Sequence, residues 1–222
     1  MGGRENADQL AQATFEEKWR QANPWEMDGA EFDLRRYERQ FAILEDRHYE
    51  RVLEIGCGAG HFSRMLAPIA DRVIALDIAP SAIARAQAMS AGVENVDFRV
   101  ANVMAYEPQA EGRWDLIVMA ETIYCLGWLY SCFEVGWLVA ELFAATQSGG
   151  RFLMVNTYGG EKDYLLRPWL IDTYRDLLRN VGYKTEVEER FSAVKNGVDL
   201  QALVTLFVKE SNGEALSNRQ CR

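Results

Sequence analysis

The sequence is poor in the residues that most often build metal centres. Its 222 residues include only two histidines and four cysteines, and no two cysteines form a CxxC pair. A closed zinc site needs four such ligands at short, characteristic spacings. We therefore expect no metal ion, neither zinc nor a divalent cation held by several carboxylates and amides. We also expect the thiols to be reduced rather than bridged, because a domain of this size does not need disulfides.

Basic residues are scarce relative to acidic ones. Lysine and arginine number 24 against 33 aspartates and glutamates, a net charge of −9, and the longest basic cluster is "LRR" at 34–36. A phosphate backbone repels such a surface, so nucleic acid is not expected as a partner. No apolar run reaches the ~18 residues of a membrane span, and the N-terminus lacks the apolar centre of a signal peptide. We expect a cytoplasmic protein with no membrane partner.

The chain instead shows alternating strand and helix patterns. Apolar runs predict strands at 52–56, 72–78, 95–103, 114–122, 151–158, 183–192 and 200–210. Helical patterns lie at 61–70, 80–92, 129–147 and 168–182, and an Asn-Gly turn separates the last two strands. This order predicts an α/β fold, a doubly wound, seven-stranded, mostly parallel sheet with an antiparallel C-terminal hairpin. We expect a helical extension at 1–49, one domain at 50–210 and a polar tail at 211–222.

Three alternate glycines follow the first predicted strand. The stretch "EIGCGAGHF" (54–62) places Gly56, Gly58 and Gly60 outside the carboxyl end of that strand, where open α/β sheets bind ligands. Glycine there permits a sharp turn and a close approach of backbone to ligand. The alternative is a glycine turn that serves only strand–helix packing. The dinucleotide fingerprint GxGxxG is disfavoured because His61 stands at the position of its third glycine.

These residues resemble the class I S-adenosylmethionine-dependent methyltransferases. The stretches "VLEIGCGAGHFSRMLA" (52–67) and "RVIALDIAPSAIARAQ" (72–87) are similar to that family's first two motifs, and "TQSGGRFLMV" (146–155) is similar to its loop into the fifth strand. A closer resemblance, to the NodS-like group around nodulation protein S, rests on "NPWEMDGAEFDLRRYERQFAIL" (23–44) and "WDLIVMAETIYCL" (114–126). The resemblance implies methyl transfer from S-adenosylmethionine, with S-adenosylhomocysteine as product. The acceptor would be an N or O atom of a small molecule such as a sugar, an amino sugar or another secondary metabolite.

The resemblance also implies roles for single residues in cofactor binding. Asp77, which ends the second predicted strand, would accept hydrogen bonds from the ribose hydroxyls. Asn102 stands where the family usually has aspartate, and its side-chain oxygen would accept a hydrogen bond from the adenine amino group. The alternative for Asn102 is a turn at a strand end. The complete predicted cofactor set is Trp25, Glu54, Gly56, Cys57, Gly58, Gly60, His61, Phe62, Asp77, Ile78, Asn102, Val103, Ala120 and Glu121.

Glu121, Tyr124 and His61 are the candidate catalytic residues. Glu121 follows the fourth predicted strand, where it would take a proton from the acceptor or hold an acceptor ammonium. The alternatives are a solvated or helix-capping carboxylate for Glu121, a packing ring for Tyr124, and packing with helix-end hydrogen bonding for His61. The aromatic N-terminal segment would fold over the cofactor as a lid. A regulatory module that binds S-adenosylmethionine without turnover and a nucleotide-dependent oxidoreductase are the competing functions, and either a monomer or a homodimer is compatible with the sequence.

Overall fold

A seven-stranded sheet forms the centre of the fold. The computed structural model describes residues 2–26, 31–159 and 167–211. Its strands are β1 (Tyr49–Ile55), β2 (Ala70–Asp77), β3 (Val96–Val100), β4 (Trp114–Ala120), β5 (Thr146–Tyr158), β6 (Lys184–Lys195) and β7 (Val198–Val208), in the spatial order β3-β2-β1-β4-β5-β7-β6. β7 runs antiparallel to its two neighbours, β5 and β6, and the four other strand pairs are parallel. The predicted doubly wound sheet with a C-terminal hairpin is confirmed.

Helices cover both faces of the sheet. They are α1 (Gly2–Trp19), α2 (Glu31–Ala42), α3 (His61–Leu66), α4 (Pro80–Met89), α5 (Ile123–Leu129), α6 (Cys132–Ala145) and α7 (Pro168–Val181). The core on one face includes Phe62 and Leu66 of α3 and Ile83 of α4. The core on the other face includes residues of α5, α6 and α7, such as Leu138 and Leu178.

The strand order reverses between β1 and β4. The chain moves outward from β1 to β2 and β3, and then returns to the other side of β1 as β4. Connections that leave in opposite directions open a crevice at the carboxyl ends of these two strands. The residues after β1 and after β4 therefore face each other across the crevice.

The two N-terminal helices pack against the domain rather than standing apart from it. The buried side chains of Ala11 and Trp19 anchor α1 beside α4 and α5. A short 3₁₀ turn, Pro24–Glu26, follows α1. α2 then lies against α3, β6 and β7. Both helices thus lie within the segment 1–49, whose separation as an extension and role as a lid stay predictions.

Several predicted elements end earlier than the apolar pattern indicated. The helix predicted at 61–70 stops at Leu66 and tightens into a 3₁₀ turn that contains Pro68, because proline has no N–H to continue the helix. The helix predicted at 80–92 ends at Met89, and the strand predicted at 95–103 ends at Val100. The strand predicted at 114–122 ends at Ala120, since Glu121 adopts a left-handed φ of 55°, outside the strand region.

The helix predicted over 129–147 is present but shorter: α6 runs from Cys132 to Ala145, behind a capping box formed by Ser131 and Glu134. The short helix α5 that precedes it was missed. Gly127 obscures α5 in the sequence, because glycine is a poor helix former. The structure explains this glycine: a Cβ atom there would lie 1.7 Å from the Tyr174 hydroxyl of α7. Close packing of α5 on α7 therefore depends on it.

The described thiols and helices carry no sign of a disulfide or a membrane span. Cys57, Cys125 and Cys132 are free. Within residues 2–26, 31–159 and 167–211, no helix has the length and hydropathy needed to cross a bilayer. The same residues contain no group of three or more histidine, cysteine or acidic side chains arranged to hold a metal ion. Cys221 and the predicted polar tail from residue 212 onward lie outside the described residues.

Candidate active site

The glycine loop after β1 has a conformation that other residues rarely adopt. Gly56, Gly58 and Gly60 have φ values of 78°, 54° and 72°. The N–H groups of Gly56 and Cys57 both donate to the Leu76 carbonyl, so the loop turns back onto the end of β2. At Gly56 a Cβ atom would lie 2.1 Å from Oγ1 of Thr122, across the crevice. The glycines are therefore required by backbone conformation and, at Gly56, by a close contact as well.

Two buried carboxylates lie beside this loop. Asp77 accepts hydrogen bonds from the N–H groups of Gly58 (3.0 Å) and Ala79 (2.9 Å). Glu54, at the end of β1, accepts a hydrogen bond from the Ser63 hydroxyl of α3. Burial raises the pKa of Asp77 to about 6 and that of Glu54 to about 8. Both carboxylates thus lie at the predicted positions, at the carboxyl ends of neighbouring strands.

His61 begins α3 on the side of the loop that faces α2. Its Nδ1 lies 3.2 Å from an Arg64 guanidinium nitrogen, and its ring stacks on Tyr37 with centroids 6.1 Å apart. Tyr37 also stacks on Phe62, 6.2 Å away. These contacts agree with the interpretation of His61 as a packing and helix-end residue, and its catalytic role stays a prediction.

Asn102 links the end of β3 to the N-terminal helix. Its Oδ1 accepts a hydrogen bond from the Met104 N–H (3.0 Å) and so caps a short 3₁₀ turn that includes Val103. Its Nδ2 donates to Asp8 of α1 (2.8 Å) and to the Tyr130 hydroxyl (3.0 Å). The side chain therefore forms the turn that the alternative interpretation expected. The predicted contact of Asn102 with adenine stays a prediction.

Glu121 is held in place at the carboxyl end of β4. Its Oε1 accepts hydrogen bonds from the Thr157 N–H (2.7 Å) and the Thr157 hydroxyl (2.8 Å) of β5. Its Oε2 accepts one from the Tyr124 hydroxyl (3.1 Å). Its side chain is 23% exposed. Glu121 does not cap α5, whose N-cap is Thr122, so the helix-capping alternative was wrong.

Arg36 of α2 connects Glu121 to a buried ion-pair chain. Its guanidinium lies 3.4 Å from Glu121 Oε1 and donates to Asp33 at 2.8 Å. Asp33 in turn accepts from Lys195 of β6 at 2.6 Å. The side chains of Arg36 and Asp33 are 4% and 6% exposed. This chain ties the second N-terminal helix to the ends of β4 and β6.

The first N-terminal helix covers the glycine loop. A Cβ atom at Gly58 would lie 2.6 Å from the Trp19 ring. Glu16 accepts hydrogen bonds from the N–H and hydroxyl of Ser81, at the start of α4. Arg85 donates to the carbonyls of Trp19, Gln21 and Ala22. α1 is therefore fastened over the crevice by both apolar and polar contacts.

The residues present fit S-adenosylmethionine. The loop has left-handed backbone that only glycine adopts easily, and a carboxylate that can bind hydroxyls stands at the end of β2. The family model of nodulation protein S matches residues 7–142, which is more than half of the chain. The chain belongs to the nodulation protein S (NodS) family. The matched range extends from α1 into α6 and includes the glycine loop, Asp77 and Glu121.

Curated relatives of this NodS-family chain carry the same name or are other methyltransferases. The nodulation protein S of Rhizobium tropici is 29% identical over 148 residues, which are 66% of this chain and 58% of that protein. That of Bradyrhizobium diazoefficiens is 24% identical over 208 residues, 88% of this chain and 90% of that protein. A ubiquinone biosynthesis O-methyltransferase of Azotobacter vinelandii is 30% identical over 119 residues, 53% of this chain and 48% of that protein.

Solved structures share the NodS-family fold. The N-methyltransferase NodS of Bradyrhizobium japonicum WM9, in complex with S-adenosylhomocysteine, matches with a TM-score of 0.77 and 21% identity, covering 90% of this chain and 99% of that one. A Burkholderia thailandensis 1,6-didemethyltoxoflavin-N1-methyltransferase matches with a TM-score of 0.70 and 19% identity, covering 95% and 92%. The protein is an S-adenosylmethionine-dependent methyltransferase that acts on a small molecule.

Sequence reasoning missed the residues that hold Glu121. Thr157 and Arg36 contact it directly, and Lys195 acts through Asp33. One local signal was present, since Asp33 and Arg36 stand three residues apart on a predicted helical segment and can pair there. No local signal marks Thr157, because its contact depends on how β4 and β5 align in the sheet.

Proposed function

We propose that this NodS-family protein transfers the methyl group to the nitrogen of a small primary amine. The observation that carries the proposal is the fixed carboxylate of Glu121, held by Thr157 and Tyr124 at the edge of the crevice. A carboxylate in that place accepts a hydrogen bond from an amine N–H and orients the nitrogen lone pair. Orientation of this kind is the main contribution a protein makes to a displacement reaction.

The other titratable groups beside Glu121 are poorly suited to deprotonate a hydroxyl. Burial, followed by the charge of Glu121, raises the pKa of Tyr124 well above its usual range. Burial raises the pKa of Cys125 to about 12. An alcohol acceptor must lose a proton near the transition state, whereas a neutral amine already offers its lone pair. The groups on this side of the crevice therefore favour nitrogen over oxygen.

Each residue then has a distinct task. S-adenosylmethionine supplies a methyl group bound to a positively charged sulfur, and the glycine loop, Glu54 and Asp77 would hold that cofactor. Glu121 contacts the acceptor nitrogen, and the proton that this nitrogen sheds passes to Glu121 or to water. Arg36 positions Glu121 without contacting the acceptor. The relatives named for N-methyl transfer support this assignment, and the ubiquinone O-methyltransferases represent the alternative.

Glucosamine and glucose form a matched pair of probes, since they differ by an amine and a hydroxyl at one carbon. We expect mass spectrometry to detect methylation of glucosamine and not of glucose. Glu121→Gln should lower kcat by about 10²-fold, the usual loss of a positioned proton acceptor, with partial recovery at high pH. Its affinity for S-adenosylhomocysteine should stay unchanged in calorimetry, because the cofactor residues lie on other loops.

Glu38→Gln is the control, since Glu38 is exposed on the same helix that carries Arg36. It should behave as the unmodified protein. Equal methylation of glucose and glucosamine would overturn the choice of nitrogen. Full activity of Glu121→Gln would remove Glu121 from the mechanism, and a parallel loss of cofactor affinity would reassign it to the cofactor site.

A further inference from the structure

A lysine at the end of β6 contacts two separate N-terminal segments. Lys195 is the last residue of that strand, and its side chain is only 13% exposed. Its Nζ donates to Oδ2 of Asp33 in α2 at 2.6 Å and to the Trp25 carbonyl at 2.8 Å. One ammonium group therefore joins the turn at 24–26 and the helix α2 to the C-terminal hairpin.

The contact with Asp33 leads to Glu121. Asp33 accepts a hydrogen bond from Arg36 at its other oxygen, Oδ1, and the second terminal nitrogen of Arg36 lies 3.4 Å from Glu121. Positive and negative groups therefore alternate from Lys195 to Glu121. Without the ammonium, Oδ2 of Asp33 would be a buried acceptor that lacks a donor, which is costly. The Arg36 guanidinium can satisfy both oxygens of Asp33 as a bidentate pair, but only by withdrawing from Glu121.

The contact with Trp25 leads to the glycine loop. Trp25 has a left-handed φ of 56°, a conformation that the surrounding contacts must maintain in a residue of this size. Its ring packs edge-on against Trp19, with centroids 5.2 Å apart. Trp19 in turn lies against Gly58, whose N–H donates to Asp77. Loss of the donor to the Trp25 carbonyl would therefore loosen the surface against which this part of the loop rests.

We propose that Lys195 is a positioning residue that couples the cofactor loop to Glu121. It acts through the Trp25 carbonyl and Asp33, and it does not touch the reacting groups. Because the two sites share this link, a change at Lys195 alters both of them. The proposal rests on the proposed function for the role of Glu121, whereas the effect on cofactor binding does not depend on that role. A lysine that only fastened the hairpin would change the stability of the fold and leave both sites intact.

The test compares variants of the full-length chain in two assays. Calorimetry measures the affinity for S-adenosylhomocysteine, and mass spectrometry measures kcat for glucosamine with both substrates saturating. Lys195→Met removes the ammonium and keeps an unbranched side chain. We expect it to weaken S-adenosylhomocysteine binding and to lower kcat, each about fivefold, a typical effect of a position on a coupling network. Lys184→Met, at the exposed start of the same strand, is the matched control and should change neither quantity.

Asp33→Asn separates the two contacts of Lys195. Asparagine keeps an oxygen acceptor without the charge, so the path to Glu121 is weakened while the Trp25 carbonyl keeps its donor. We expect kcat to fall about fivefold and the affinity for S-adenosylhomocysteine to stay unchanged. Adding Lys195→Met should then lower kcat little further, because both changes interrupt the same path. Lys195→Gln, whose amide still donates a hydrogen bond, replaces Lys195→Met if that variant does not fold, with the same expectations.

Three results would overturn the coupling. Lys195→Met could match Lys184→Met in both assays, or it could change only one of the two quantities. Strict additivity of Lys195→Met and Asp33→Asn in kcat would refute the path through Asp33.

The proposed function fails in a different way. If the unmodified protein methylates no amine, nitrogen transfer is overturned, and the coupling is then tested without a substrate. Lys195→Met and Glu121→Gln together should shift the urea midpoint by less than the sum of their single shifts, because the alternating chain loses one charge of each sign. A shift equal to that sum would refute the coupling.

Discussion

The contact between Gly56 and Thr122 allows a quantitative test of the active-site crevice. Gly56→Ala introduces two separate costs. The left-handed φ of 78° disfavours any residue with a Cβ atom, by about 1–2 kcal/mol. The new Cβ would also lie 2.1 Å from Oγ1 of Thr122, so that hydroxyl must move. It donates to the carbonyls of Ile55 (3.1 Å) and Ala120 (2.9 Å), and losing this shared hydrogen bond costs about 1 kcal/mol.

We therefore expect Gly56→Ala to lower the free energy of unfolding by about 2–3 kcal/mol. Gly92→Ala is the matched control, because Gly92 has a similar φ of 86° and no atom within 4 Å of a Cβ placed there. Gly92→Ala should lower the free energy of unfolding by the backbone cost alone, about 1–2 kcal/mol. Urea denaturation followed by tryptophan fluorescence measures both values.

A double-mutant cycle isolates the contact. Thr122→Ala removes Oγ1, so Gly56→Ala should cost less in that background, with a coupling of about 1 kcal/mol. Equal destabilisation by Gly56→Ala and Gly92→Ala would refute the contact, as would strict additivity of Gly56→Ala with Thr122→Ala. Because Thr122 adjoins Glu121, Gly56→Ala should also reduce kcat beyond the effect of Gly92→Ala.

Two further predictions concern buried charge. Arg36→Met should lower the free energy of unfolding by about 3 kcal/mol, the low end for a broken buried ion pair, because Asp33 keeps Lys195 as a partner. Thermal denaturation measures this loss of stability. A loss smaller than that caused by substituting an exposed arginine would contradict the prediction. Burial raises the pKa of Glu54 from 4.5 to about 8, so the folded chain retains a proton that the unfolded chain releases. The contribution of the Glu54 carboxyl to stability is complete below about pH 4.5 and is lost as the pH rises towards about 8. Across that range, the urea midpoint should therefore decline less steeply with pH in Glu54→Gln than in the unmodified protein. Equal slopes in the two proteins would contradict the raised pKa of Glu54.

Much of the fold follows from local sequence patterns. The Asn196–Gly197 turn lies where it was predicted, with φ values of 52° and 76° that match the chemistry of a tight hairpin. Asp77 lies at the end of β2, as the apolar pattern of that strand indicated. These features depend on residues that are neighbours in the chain, and the sequence displays such neighbours directly. The exceptions were short or interrupted elements, above all α5 with its internal Gly127.

The sequence alone determined the sheet, the glycine loop and the family resemblance, because strand periodicity and glycine's conformational freedom act locally. Only the tertiary structure decided what surrounds Glu121. Its partner Thr157 is 36 residues away, and the Asp33–Lys195 pair spans 162 residues. Such contacts depend on strand register and on where α2 docks, and both are set by packing of the whole core rather than by any nearby residue.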